Sequence, residues 1–111
     1  MFVVGQGLYG KLYFPDGVTP KYDRPYLVVE VFDKKIGVLN ISSVAGKAHK
    51  LLYPTNKLIN NQFPPFLQKS FVKLDSLIYV THKKASKMQV LAGGKTLDKA
   101  ELSNILKKIA K

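Results

Sequence analysis

The chain has 111 residues, 46% of them hydrophobic, and sets 18 basic side chains against seven acidic ones for a net charge of +11, with no cysteine. That length fits one domain, residues 1–111, whose core can bury enough apolar surface to fold without staples. The missing cysteines exclude disulfides and thiolate metal sites and suit a reducing compartment, and no run approaches the roughly 18 apolar residues of a membrane span.

The start, MFVVGQGLYGKLYF, has no basic leader and no long apolar run, so it does not read as a signal peptide, and a soluble cytoplasmic protein is expected. Gly5 to Gly10, GQGLYG, matches the dinucleotide fingerprint G-x-G-x-x-G. That motif works only when a helix follows directly to receive a pyrophosphate. Here KLYFPDG follows, and Pro15 and Gly17 leave no room for a helix, so the glycines read as flexible entry to a first strand. PDGVTPKYDRP then predicts a long loop. YLVVEVFD and KIGVLNISS are β-branched apolar runs divided by Asp33-Lys34-Lys35, a hairpin of central strands covered on both faces. VAGKAHK reads as a small basic loop, LLYP as a short strand, TNKLINNQFPPFLQKS as loop or a short helical turn, and FVKLDSLIYVTH as two short strands broken at Asp75-Ser76.

The period changes at the end of the chain. From Asp98 onward the apolar residues Leu102, Ile105, Leu106 and Ile109 fall at i, i+3, i+4 and i+7, which predicts an amphipathic helix over 98–110. Asp98 and Glu101 are placed to accept from the unpaired amides of its first turn, and Lys107, Lys108 and Lys111 suit the negative end of its dipole. Five or six short strands and one terminal helix predict a mainly β, small barrel-like domain.

Charge is uneven along the chain. Residues 1–33 carry three basic and four acidic groups, whereas residues 34–111 carry fifteen and three. A basic field of that size favours a polyanionic partner, because lysines that neutralise phosphates release counterions. His49 and His82 are far apart with no carboxylate at ligand spacing, so no metal site and no cofactor is expected. Each histidine remains a candidate phosphate contact or proton carrier. Of the 18 cations only Arg24 is an arginine, at the head of RPYLVVEV. A guanidinium differs from an ammonium in offering a planar fork that binds two phosphate oxygens at once. In isolation Arg24 also fits a surface salt bridge to Asp23 or Asp33, and Ser42 an ordinary strand-end hydroxyl.

Taken in order, GKLYF, RPYLVVEV, IGVLNISS, a basic loop, SFVKLDSLIYVTHKKAS and the amphipathic helix resemble the MazF/PemK family of toxin endoribonucleases over about residues 10 to 110. The resemblance implies an SH3-like barrel with a C-terminal helix, a homodimer, and cleavage of single-stranded RNA without metal. It places the family's active-site arginine on Arg24 and its strand-end hydroxyl on Ser42, with Ser43 as the adjacent alternative. Thr81 and Lys84 stand where the family commonly has aspartate and arginine, and PDGVTPKYD lacks the usual glutamate. Such a toxin implies a cognate antitoxin with an acidic segment.

The chemistry expected of these residues uses the RNA's own 2′-hydroxyl as nucleophile and leaves a 2′,3′-cyclic phosphate. Arg24 would stabilise charge on the phosphate, since a group of pKa above ~12 is a poor base. Ser42 would donate to a phosphate oxygen or relay a proton, with His82 or water completing the transfer. Lys21 and Tyr22 before Arg24, and Lys47, His49 and Lys50 after Ser42, are expected to flank one RNA groove, with Tyr22 or Tyr53 stacking on a base and Lys84 adding a backbone contact. Two other readings carry the same charge: a non-enzymatic RNA-binding barrel, and a CcdB-like toxin directed at gyrase.

Overall fold

The structure, a computed structural model, describes residues 1–12 and 22–109. Among these, seven strands and two helices follow in order: β1 (Gly7–Gly10), β2 (Arg24–Val31), β3 (Lys35–Ser43), β4 (Asn56–Ile59), β5 (Ser70–Lys73), β6 (Ile78–Thr81), α1 (His82–Ala85), β7 (Gln89–Val90) and α2 (Lys99–Lys108). The domain is mainly β with a C-terminal helix, as its patterning predicts. No helix among the described residues is long and apolar enough to cross a membrane.

One antiparallel sheet runs in the order β4-β5-β3-β2-β1-β7, with β6 also on β3. The long strand β3 sets its shape. One edge of β3 pairs with β2, while its other edge pairs first with β6 over residues 35–38 and then with β5 over residues 41–43. Serving two partners in succession bends the sheet around β3 into a barrel-like form. The β2–β3 hairpin closes where Phe32 N donates to Lys35 O (2.9 Å), as the polar Asp33-Lys34 step predicts.

Both faces of this hairpin are covered, which is why its apolar runs are continuous. Leu27, Val29, Leu39 and Ile41 join a core with β4, β5 and α2, whereas Tyr26, Val28, Ile36 and Val38 join a second core with β1, β6 and α1. The glycine-rich start feeds the first strand, with no helix in Gly7–Leu12. Gly5 lies at φ +100 where a Cβ would sit 3.0 Å from the Thr96 Cβ, so only glycine fits between β2 and the approach to α2.

Three elements differ from the sequence expectation. LLYP does not form a strand: Lys50 N and Tyr53 N donate to carbonyls three residues back, winding Ala48–Leu52 into a 3₁₀ turn. The strand lies instead at β4, in the stretch read as loop or helical turn, because β5 offers it a pairing edge from Asn56↔Lys73 to Ile59↔Ser70. The seventh strand, β7, is a two-residue pairing with β1 that carries no local pattern.

Helix α2 starts as expected, with Asp98 Oδ2 accepting from Ala100 N (3.1 Å) and Glu101 N (3.2 Å). Ile105 is fully buried and Leu102 and Ile109 pack on the first core, while Leu106 is 40% exposed on the helix flank. Ile109 is already extended, so the helix stops at Lys108, short of the expected residue 110, which lies outside the described residues. Glu101 does not join Asp98 as a second cap. Its buried carboxylate turns to the loop after β4, where Oε1 accepts from Asn60 N (3.0 Å) and Asn61 N (3.2 Å) and ties that loop to the helix. Asp98→Ala is expected to cost about 1 kcal/mol, a typical cap value, read as a lower urea midpoint at unchanged m.

Candidate active site

Strand alternation decides which side chains meet. Arg24, Tyr26 and Val28 share one face of β2, and Asn40 and Ser42 share the matching face of β3. Tyr26 pairs with Asn40, so the register continued outward by two residues sets Arg24 opposite Ser42. Both line one hollow of about 330 Å³, with Tyr22, Asp23, Pro25, Ile41, Ser43 and Lys47. Arg24 is half-buried, and among the described residues it makes no salt bridge to Asp23, Asp33 or any other carboxylate.

The loop after β3 adds a cation. Lys47 N donates to Val44 O (2.8 Å), closing a turn in which Gly46 holds φ +71. A positive φ at that position suits glycine alone and folds Lys47 back over the strand end. Lys47 Nζ then donates to Ser42 Oγ (3.3 Å), leaving the serine hydrogen free for another acceptor. Ser42 is 6% exposed, whereas Ser43 points to the other face and pairs with Ser70, although it still borders the hollow.

A third strand contributes a residue that sequence reasoning missed. On β5, Phe71 pairs with Ser42, so Lys73, two residues on, stands on the same face. The turn beyond it is clamped to β3: Ser76 Oγ donates to Lys73 O (2.6 Å) and accepts from Asn40 N (2.8 Å). Burial pushes the Lys73 ammonium below its ordinary pKa, and Lys50, Arg24 and Lys47 push it further down against the weaker pull of Asp75. Three cations therefore act on Lys73, and among the described residues no carboxylate is hydrogen-bonded or ion-paired to any of the four. Burial likewise raises the Tyr26 phenol, with the Arg24 guanidinium and the Leu12 backbone opposing. No local motif marks Lys73; the signal is the β3–β5 register.

The remaining sequence candidates divide. Tyr22 is 69% exposed on the rim of the hollow, whereas Lys50 does not line it but stands near enough to Lys73 to push that ammonium's pKa down. His49 and Tyr53 are exposed on and after the 3₁₀ turn and do not line it. His82 stands at the far end of β3, where its Nε2 lies 2.6 Å from Phe32 O and its ring 5.7 Å from that of Phe2, so it is not brought to Arg24. Lys84 lines a second, larger groove. Lys21 lies outside the described residues. Among the described residues no three histidine, aspartate or glutamate side chains are grouped to hold a metal ion.

Four cations set against Asp23 and Asp75 leave a net positive surface, which suits an anion. The charged form of Lys73 is penalised in the folded state, which binds fewer protons than the unfolded chain between the lowered pKa and 10.5, so this group's contribution to stability rises with pH across that window. A bound phosphate offsets the penalty below it. Inorganic phosphate is therefore expected to raise the thermal midpoint at neutral pH, with a gain that fades as pH climbs through the lowered pKa and is smaller in Lys73→Met. Equal gains in both proteins at every pH would remove Lys73 from the site. Compared with known proteins, the sequence matches no family model and no curated protein.

Proposed function

We propose that the protein is a metal-independent endoribonuclease that cuts single-stranded RNA, the toxin component of a toxin–antitoxin pair of the MazF/PemK type built on an SH3-like barrel. The observation that carries this reading is that Arg24, Ser42 and Lys47 line one surface hollow, with Lys50 and Lys73 within electrostatic reach of them. A ribose-phosphate unit seated there presents its non-bridging oxygens to the Arg24 fork, and the hydrogen of Ser42 is available to one of them because Lys47 already occupies the oxygen. The 2′-hydroxyl gives its proton to water as its oxygen attacks the adjacent phosphorus, the bond to the 5′-oxygen breaks as that oxygen takes a proton from water, and the products are a 2′,3′-cyclic phosphate and a 5′-hydroxyl.

Arg24 and Ser42 supply charge stabilisation and alignment, and Lys47, Lys50 and Lys73 hold the strand. The same reading makes the protein a cytoplasmic homodimer controlled by an antitoxin whose acidic segment covers the cationic hollow. The test is incubation of the pure protein with mixed-sequence single-stranded RNA in EDTA. Discrete fragments ending in cyclic phosphate are expected; RNA that is shifted in a gel but stays intact would replace the enzyme with an RNA-binding barrel.

A further inference from the structure

Asp23 is out of place electrostatically. It lines the hollow that holds Arg24, and it also lines a neighbouring groove of about 840 Å³ whose rim carries Lys11, Lys84 and Lys87. A carboxylate in that company repels phosphate, so its use must lie with a donor. It is exposed, and among the described residues it has no hydrogen bond or ion pair. Among the described residues, nothing occupies either oxygen.

The groove itself has the make-up of a base site. Its volume falls within the roughly 300–1,000 Å³ of ligand pockets. Leu12, Val80 and Met88 give it an apolar floor, and Tyr9 and Tyr79 expose 40% and 46% of their surfaces beside it. Tyr79 turns to the other face of β6 from Val80, where its hydroxyl donates to Glu30 Oε1 (3.0 Å) and Lys35 Nζ sits 4.7 Å from its ring centroid, so stacking on a base falls to Tyr9. Single-stranded RNA is read this way, by rings that stack on a splayed base and polar groups that meet its Watson–Crick edge, with lysines tracking the backbone.

We propose that this groove seats the nucleobase next to the scissile phosphate and that Asp23 selects guanine there, an inference that rests on the ribonuclease reading of the adjoining hollow. Guanine alone presents two adjacent donors, N1–H and N2–H, to match the two oxygens of a carboxylate. Cytosine and adenine each set their amino group beside a ring nitrogen that repels it, and uracil flanks its one N–H with carbonyls.

The experiment maps cleavage sites on random-sequence single-stranded RNA for the wild type and Asp23→Asn. The wild type is expected to favour guanine at one fixed position adjoining the cut, and Asp23→Asn to lose that preference at least about tenfold relative to the other bases, in line with the loss of a bidentate contact. Its thermal midpoint should match the wild type, since an exposed carboxylate without bonded partners is replaced. Wild-type cuts with no guanine enrichment, or an enrichment that survives in Asp23→Asn, would overturn the base assignment and leave the ribonuclease standing. A wild type that cuts no RNA overturns both. An acidic peptide as the true occupant would show as cleavage sites indifferent to Asp23 and to base identity.

Discussion

Arg24→Lys should lower single-turnover cleavage of RNA by about a thousandfold or more, the scale on which transition-state charge stabilisers act. Charge is conserved in this substitution, so the effect isolates geometry. A lysine at the head of β2 reaches the hollow with a single point charge and cannot grip two non-bridging oxygens together as the phosphorus becomes five-coordinate. Ground-state binding depends on the summed field of Lys47, Lys50 and Lys73 with residue 24, and that sum is unchanged. Affinity for a non-cleavable 2′-deoxy analogue should accordingly move by less than about threefold, well under 1 kcal/mol. Parallel loss of rate and affinity would demote Arg24 to a binding residue and leave the hollow an RNA clamp.

Phe71→Ala should have the largest effect on stability, about 3–5 kcal/mol by urea unfolding, because it deletes a fully buried ring from the middle of the sheet. Phe71 pairs with Ser42 on one side and Leu58 on the other, so it sits on the central strand of β3, β5 and β4. Against a typical total of about 5–15 kcal/mol, such a loss leaves a marginal fold. It also loosens the strand that carries Lys73, so the stabilisation by phosphate expected of the native protein should weaken in the variant. A cost below about 1.5 kcal/mol would mean that the neighbours close the cavity and that the ring is not the pivot of the sheet.

The parts of the fold that were legible carry their signals within a few residues. β-branched runs on either side of Asp33-Lys34 encode a hairpin buried on both faces, and a capping Asp98 followed by apolar residues at helical spacing encodes α2. Where a local signal competed with pairing, pairing won. The apolar LLYP curled into a 3₁₀ turn while the mixed NKLI became a strand, since β5 had an open edge for one and none for the other. Glu101 was drawn off its cap by two loop amides that no helix pattern reveals.

The same division runs through the site. Composition and short-range pattern by themselves determined a basic, mainly β domain with a terminal helix and singled out one guanidinium, while the strand-end serine, with Tyr22 and Lys47 on the loops beside the pair, entered through the family resemblance. Only the tertiary structure decided that Lys73 completes the cluster, that Asp23 stands between hollow and groove, and that His82 belongs to the opposite end of β3. The physical reason is register: which residues of distant strands face each other depends on how the whole core packs, and a shift of one residue would turn every one of these side chains to the other face.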